Sequence, residues 1–383
     1  MDFHSLRDWN VLRLYIITGI TQVFLQFVKM SVNTKFILLI INQMVSGIDP
    51  YGIVFLLIME LTSSSHTSFA AGVAMVAYTV GEIIFTGFAY AARDWLNLKW
   101  LMSVYFAVTI PYLYFIPESP YWLFGRKKYD ELETCLRKIA KINRREENEW
   151  FPYYTKLIEE SRIVQRTETK AKTKKREKVL RLLPRLIMCG SIEFVTMLLY
   201  TKITYGLGAM NETLSPYTNF IIGAVVEGIG YLAAGLAITT VLGRKYSLII
   251  FVLLTASSIL TIPFITESYP IIATVVSQIG KFGVSGAVSV SWLFVPELFP
   301  IYMRGLANGI FVFVGSFGSM VAPIINTAVD KKNDRITNYV YAGLTVVLAG
   351  VIATLPETRD RSFDDGEEYA SKNQTEDDAD DKF

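Results

Sequence analysis

Histidine and cysteine are nearly missing from this chain of 383 residues, with two of each. Cys135 lies in a basic stretch and Cys189 in an apolar run, which leaves no disulfide framework and no thiolate metal cluster. His4 and His66 both stand outside the apolar runs, so a histidine proton relay and histidine-based metal catalysis lack their residues. No Gly-x-x-x-x-Gly-Lys-Ser/Thr block occurs, which removes the phosphate cradle of an ATP-driven pump. No catalytic residue, metal or cofactor is expected, and the chain does not read as an enzyme. Charge is also scarce. Charged residues make up 19% and hydrophobic ones 52%, with mean hydropathy +0.36. Soluble domains carry more charge. The period-two alternation of a membrane barrel is absent.

What fills the chain instead is long apolar runs. A bilayer core takes roughly 20 residues of helix, and lipid offers no partner to a free backbone amide. Ten runs meet that length: 11–31, 35–58, 69–90, 98–116, 183–203, 217–239, 246–264, 270–294, 304–328 and 337–355. The expected fold is an all-α polytopic bundle. The runs divide it into a first helical part at 1–116, a basic loop at 117–182, a second helical part at 183–355 and an acidic tail at 356–383.

About half of all Lys and Arg fall between Arg126 and Arg181. Basic loops stay in the cytoplasm, so this one and both termini are expected there. Gly243-Arg244-Lys245 then also falls inside, and the glycosylation sequon at Asn211 falls outside, whereas Lys331, Lys332 and Arg335 pull against this orientation. Leu132, Leu136, Ile139 and Asn143 recur at helical spacing in the loop, which predicts amphipathic helices beneath the spans. Its lysines suit two roles, a solvated face that sets orientation or a surface attracted to anionic lipid. Nucleic acid is not an expected partner.

A pattern also occurs twice. Glu60-Leu61 closes one apolar run, and two further runs lead to Pro117-Glu118-Ser119. Glu297-Leu298 closes another, and two further runs lead to Pro356-Glu357-Thr358. Such a repeat in an apolar chain marks a transporter built of two halves. In the same register Gly243-Arg244-Lys245 maps near Arg7, so the first half is expected to be incomplete and to have coding sequence upstream.

These blocks resemble the major facilitator superfamily, and within it the organic cation/anion/carnitine transporter family. Pro117-Glu118-Ser119-Pro120-Tyr121-Trp122-Leu123 looks like the family's Pro-Glu-Ser-Pro-Arg-Trp-Leu, with Tyr121 in place of Arg. Glu297-Leu298-Phe299-Pro300 with Arg304 looks like its Glu-Leu-Tyr-Pro-Thr-x-x-Arg, and Gly280-Lys281-Phe282-Gly283 matches the start of its tenth helix. Ala89-Tyr90 with Asp94-Trp95 resembles its link from the fifth helix to the sixth. Sugar porters share the Pro-Glu-Ser-Pro block, but their Gln-Gln-x-x-Gly element is missing between Met188 and Tyr205.

The resemblance places the ten runs at family helices three to twelve. It implies alternating access, with Glu60, Glu118, Gly243, Arg244, Glu297 and Arg304 in the cytoplasmic gate. Several gate charges depart from the family pattern. Thr240 stands for an acid, Thr67 for an Arg, and Gln43, before Gly47, for another Arg, so a weaker clamp is expected. Twelve residues after Arg304, where the family often carries a charge that selects substrates, stands the neutral Ser316.

An ionisable side chain within a span costs about 2.5–3.5 kcal/mol on insertion scales and marks function by default. Asp49, Glu82, Glu193, Lys202, Glu227 and Lys281 stand out among such residues. Glu227 is the candidate substrate contact, at a position where the family has an acid, and buried pairing with a lysine is its rival role. Lys281 is an obvious partner, and it and Ser316 count with Glu227 among the candidate substrate-binding residues. Tyr205 matches the second Tyr of a family Tyr-Tyr-Gly and is a candidate cation contact. The expected function is a carrier of small organic ions, cations or zwitterions of the carnitine kind, in the plasma membrane. The alternatives are a shortened membrane protein that does not transport and a sugar-porter-like carrier.

Overall fold

The computed structural model describes residues 34, 37–38, 50–62, 66–109, 118–167, 172–209, 215–266, 268–299, 301–328 and 334–358. Twelve helices follow in chain order: α1 Pro50–Leu61, α2 Thr67–Ala92, α3 Trp95–Thr109, α4 Pro120–Gly125, α5 Tyr129–Ile142, α6 Glu147–Thr167, α7 Lys172–Ala209, α8 Pro216–Thr239, α9 Gly243–Ile265, α10 Pro270–Glu297, α11 Ile301–Ala328 and α12 Asp334–Thr354. The described residues contain no strand.

Seven of these helices hold a stretch long and apolar enough to cross a membrane: α2, α8, α9, α10, and the segments Leu182–Gly206, Met303–Ile325 and Ile336–Thr354 of α7, α11 and α12. They answer to seven of the ten expected runs. Helices α1 and α3 cover parts of the runs at 35–58 and 98–116, while the run at 11–31, Arg7, Gln43, Gly47, Asp49, Asn211, Lys331, Lys332 and the acidic tail from residue 359 on lie outside the described residues. The outward faces agree with lipid as solvent. Ile229, Leu232 and Leu236 of α8 and Ile250, Leu253 and Leu260 of α9 are exposed, a surface water would not tolerate at this extent. The chain is an all-α, multi-pass membrane protein.

Helix ends follow local chemistry. Ser119 and Ser215 precede Pro120 and Pro216, and each hydroxyl accepts from the backbone N–H three residues on, at 3.3 and 3.2 Å. That supplies a free amide of the first turn, while proline has none to lose. Helix α10 is the centre of the packing. Every residue from Gly283 to Pro296 is buried, because α7, α8 and α9 surround it. Helix α11 packs on α7, and α12 on α9. Close approach needs small residues: a Cβ on Gly230 would stand 2.8 Å from the Phe282 carbonyl oxygen, so α8 and α10 touch backbone to backbone. The described part of the first half joins this body through α2, which lies along α8 and reaches α10.

Between α3 and α7 the helices α4 to α6 close a small core of their own around Leu123, Leu132, Cys135, Tyr154 and Ile158. Leu132, Leu136 and Ile139 do form one face of α5 against it. Arg137 reaches Glu133 at 2.8 Å and Glu147 at 2.6 Å and so ties α5 to α6. The Cys135 thiol donates to the Glu118 carbonyl at 3.7 Å, and burial pushes its pKa up. Helix α7 starts ten residues before its span, at Lys172. Lys and Arg are good helix formers, so the basic stretch continues the helix out of the membrane segment.

Candidate functional site

Four helices bring ionisable and phenolic groups to one point midway along the spans. Glu227 of α8 is 0% exposed and Lys281 of α10 is 2% exposed, and Lys281 Nζ lies 2.6 Å from Glu227 Oε2. Pairing makes burial of both charges tolerable, and hydrogen bonds fill the remaining positions. Tyr231, one turn after Glu227, donates to Oε1 at 2.5 Å. The Tyr200 hydroxyl of α7 lies 3.0 and 3.1 Å from the two Glu227 oxygens. Lys281 donates to Thr204 Oγ1 at 2.8 Å and stands 3.7 Å over the Tyr200 ring. The lysine thus spends its donors on a carboxylate, a hydroxyl and a ring face, all within the second half.

The same phenol reaches the first half. Tyr200 Oη lies 3.3 Å from Glu82 Oε1 of α2. Beside these groups is a cavity of about 20 Å³, lined by Glu82, Thr204, Asn219, Phe220, Gly223 and Lys281. That is room for a water and not for an organic solute. The site sits on the seam between α2 and α8, where Thr79 of one packs on Gly228 of the other.

A second constellation stands at the Glu297 end of the spans. Arg244 Nη2 lies 3.2 Å from Glu297 Oε1, and Thr358 Oγ1 donates to Glu297 Oε2 at 2.6 Å. Glu357 accepts from the backbone N–H groups of Arg244 and Lys245 at 2.9 and 3.0 Å, a carboxylate on the positive end of α9. Arg304, 3% exposed, donates to the Pro296 carbonyl at 3.1 Å. In the first half Ser119 Oγ donates to Glu60 Oε2. Glu60 with Ser119 and Glu297 with Thr358 are therefore one contact made twice, which is the sequence repeat expressed as geometry. Thr240, where the family pattern has an acid, accepts from the Leu242 N–H at 3.3 Å and supports the turn into α9. Gly243 enters α9 at φ +67°, and a Cβ there would stand 2.9 Å from the Glu357 carboxylate. Gly243→Ala should accordingly cost about 1–2 kcal/mol, read as a lower thermal unfolding midpoint in detergent.

Of the residues singled out from sequence, Glu227 and Lys281 meet, and Glu60, Gly243, Arg244, Glu297 and Arg304 stand at one end of the spans. Glu118 is there through its backbone, which accepts from Cys135. Tyr205 is 58% exposed and outside the cluster, and Thr204 before it takes the place beside Lys281. Ser316 is exposed and donates to the Val312 carbonyl of its own helix. Glu193 is buried two turns from Tyr200 on α7, accepting from Trp292 Nε1 at 2.9 Å and Ser291 Oγ at 3.2 Å. Sequence reasoning left Tyr200 unremarked and gave Glu82 no role. For Glu82 the signal was present, an acid inside an apolar run. For Tyr200 it was not, since one tyrosine among 21 carries no mark of its partner.

Residues 7–370 match the sugar (and other) transporter family. The chain belongs to that family. Among curated members, mouse solute carrier family 22 member 4 is 26% identical over 327 residues, covering 81% of this chain and 56% of that protein. The carcinine transporter of Drosophila melanogaster is 28% identical over 334 residues, covering 83% and 48%. Human organic cation/carnitine transporter 2 is 27% identical over 333 residues, covering 84% and 57%. The chain spans about half the length of the curated relatives it matches. Among solved structures, the major facilitator superfamily proton:xylose symporter XylE bound to 6-bromo-6-deoxy-D-glucose superposes with a TM-score of 0.74 at 20% identity, covering 95% of this chain and 82% of that one. The fold is that of the superfamily, and the curated relatives are named as a solute carrier, a carcinine transporter and an organic cation/carnitine transporter.

Proposed function

We propose that the chain carries small organic ions, cations or carnitine-like zwitterions, across the plasma membrane by alternating access of its two helical halves. The observation that carries this reading is the charged cluster on the seam of α2 and α8. A buried carboxylate, ammonium and phenols are costly in lipid, and their place between the halves is where a solute passes in a two-half carrier. The Glu60–Ser119 contact in the first half and the Glu297–Thr358 contact in the second stand at the cytoplasmic gate, which opens and closes as the halves rock. In this reading residues 118–181 and both termini face the cytoplasm, the basic loop rests on anionic lipid, and Asn211 faces outward. A protease that digests this loop from outside intact cells would reverse the orientation.

The relatives named for organic cations, carnitine and carcinine support this solute class. Reconstituted into liposomes, the chain should accumulate radiolabelled tetraethylammonium or L-carnitine several-fold above empty vesicles, with D-xylose at background. Uptake of neither ion with binding intact would favour the non-transporting alternative. Uptake of xylose alone would make the chain a sugar carrier.

A further inference from the structure

We infer that the carboxylate which meets a substrate's positive charge is Glu82 of the first half, and that Glu227 is a positioning residue for Lys281 and Tyr200. The inference rests on the carrier reading above and names the group within it that recognises a cation.

The geometry separates the two acids. Glu227 has no exposed surface, and its oxygens receive Tyr231, Tyr200 and Lys281. A carboxylate has about four acceptor positions, and all those aimed inward are filled from α7, α8 and α10. It is not part of the cavity wall. Glu82 is. It lines the cavity and is only partly buried, with one phenol contact of 3.3 Å. Tyr200 has a single hydroxyl hydrogen for two carboxylates, and Glu227 lies nearer to it at 3.0 and 3.1 Å. Glu82 therefore keeps acceptor capacity directed at the cavity. Glu82 also lacks any cation within 4 Å among the described residues, whereas Lys281 is committed to Glu227 and Thr204. With Glu82 ionised, two carboxylates and one ammonium leave the cluster one positive charge short.

An organic ammonium supplies that charge. Bound at Glu82 it would rest its alkyl groups against Phe220 and Gly223 of the cavity wall, both on α8. One bound cation would thus touch α2 of the first half and α8 of the second, which couples its presence to the way the halves meet. At about 20 Å³ the cavity must widen to admit it, as it would when the halves part.

The test uses the whole chain in lipid nanodiscs, with radiolabelled tetraethylammonium as the probe. Glu82→Gln should weaken binding about tenfold or more, with an unfolding midpoint close to that of the parent. The double variant Glu227→Gln/Lys281→Met, which removes both members of the pair, should lose less. Undiminished binding in Glu82→Gln, or a larger loss in the double variant, overturns the assignment while leaving the carrier reading intact. A parent chain that binds neither tetraethylammonium nor L-carnitine overturns both. Should Glu82→Gln fail to fold, the unmutated chain decides. A hydrophobic carbodiimide should label the Glu82 peptide, and saturating tetraethylammonium should suppress that labelling several-fold. Equal labelling with and without the probe, including none in either case, overturns the proposal.

Discussion

Lys281→Met should destabilise the folded chain by about 3–5 kcal/mol, and adding Glu227→Gln should return most of that loss. Lys281 is 2% exposed, so its ammonium depends on protein partners rather than bulk water, and Glu227 is 0% exposed. Removing the lysine leaves a carboxylate in a low-dielectric interior with two phenols as its remaining donors, from Tyr200 and Tyr231. Two phenol hydrogen bonds do not replace a unit charge at 2.6 Å. Methionine fills much of the lysine's volume, which keeps the loss electrostatic rather than a cavity effect. The glutamine of the double variant is neutral and can still accept from both phenols. Thermal unfolding followed by intrinsic tryptophan fluorescence reads the effect. A double variant no more stable than Lys281→Met would mean that the packing of the lysine stem matters and the ion pair does not.

The same pair shows where sequence reading reaches its limit. Hydropathy located the spans because lipid imposes one rule on every residue of a long helix, and seven of ten expected runs stand as described helices. The repeat could be read because identical packing problems in two halves call for the same residues, so Glu60 with Ser119 and Glu297 with Thr358 share one geometry. Charged residues within spans were visible for the same reason, each being an exception to the lipid rule. Their partners were not visible. Which acid faces which lysine depends on the rotation of each helix about its axis, and in spans apolar on all sides no amphipathic stripe fixes that rotation. Thr204 faces Lys281 while Tyr205, its neighbour, faces away, a difference of one helical step that resemblance to a Tyr-Tyr-Gly block could not assign. The start of α7 at Lys172 was hidden for another reason. Hydropathy finds the end of the membrane segment, and helix propensity carries the backbone beyond it.

Gly318→Ala and Gly309→Ala, on the same helix and nine residues apart, should shift stability in opposite directions. A Cβ at Gly318 would overlap the Phe194 carbonyl oxygen and stand 3.2 Å from the Leu198 backbone nitrogen. Those atoms belong to the backbone of α7, which cannot turn aside as a flexible side chain would. The two helices must separate, and α7 with α11 is one of the main packing seams of the second half. Overpacking of this kind costs about 1–3 kcal/mol and also moves Glu193, whose Cγ would lie 2.5 Å from a Cβ on Gly315, one turn earlier. At Gly309 a Cβ would meet nothing within 4 Å. There alanine only removes backbone freedom from the unfolded chain and should stabilise by about 0.4–1 kcal/mol. Unfolding midpoints of the two variants in one detergent decide the matter. A midpoint for Gly318→Ala equal to or above the parent would show that α7 and α11 are not in backbone contact at this level, and would remove the basis for their close crossing.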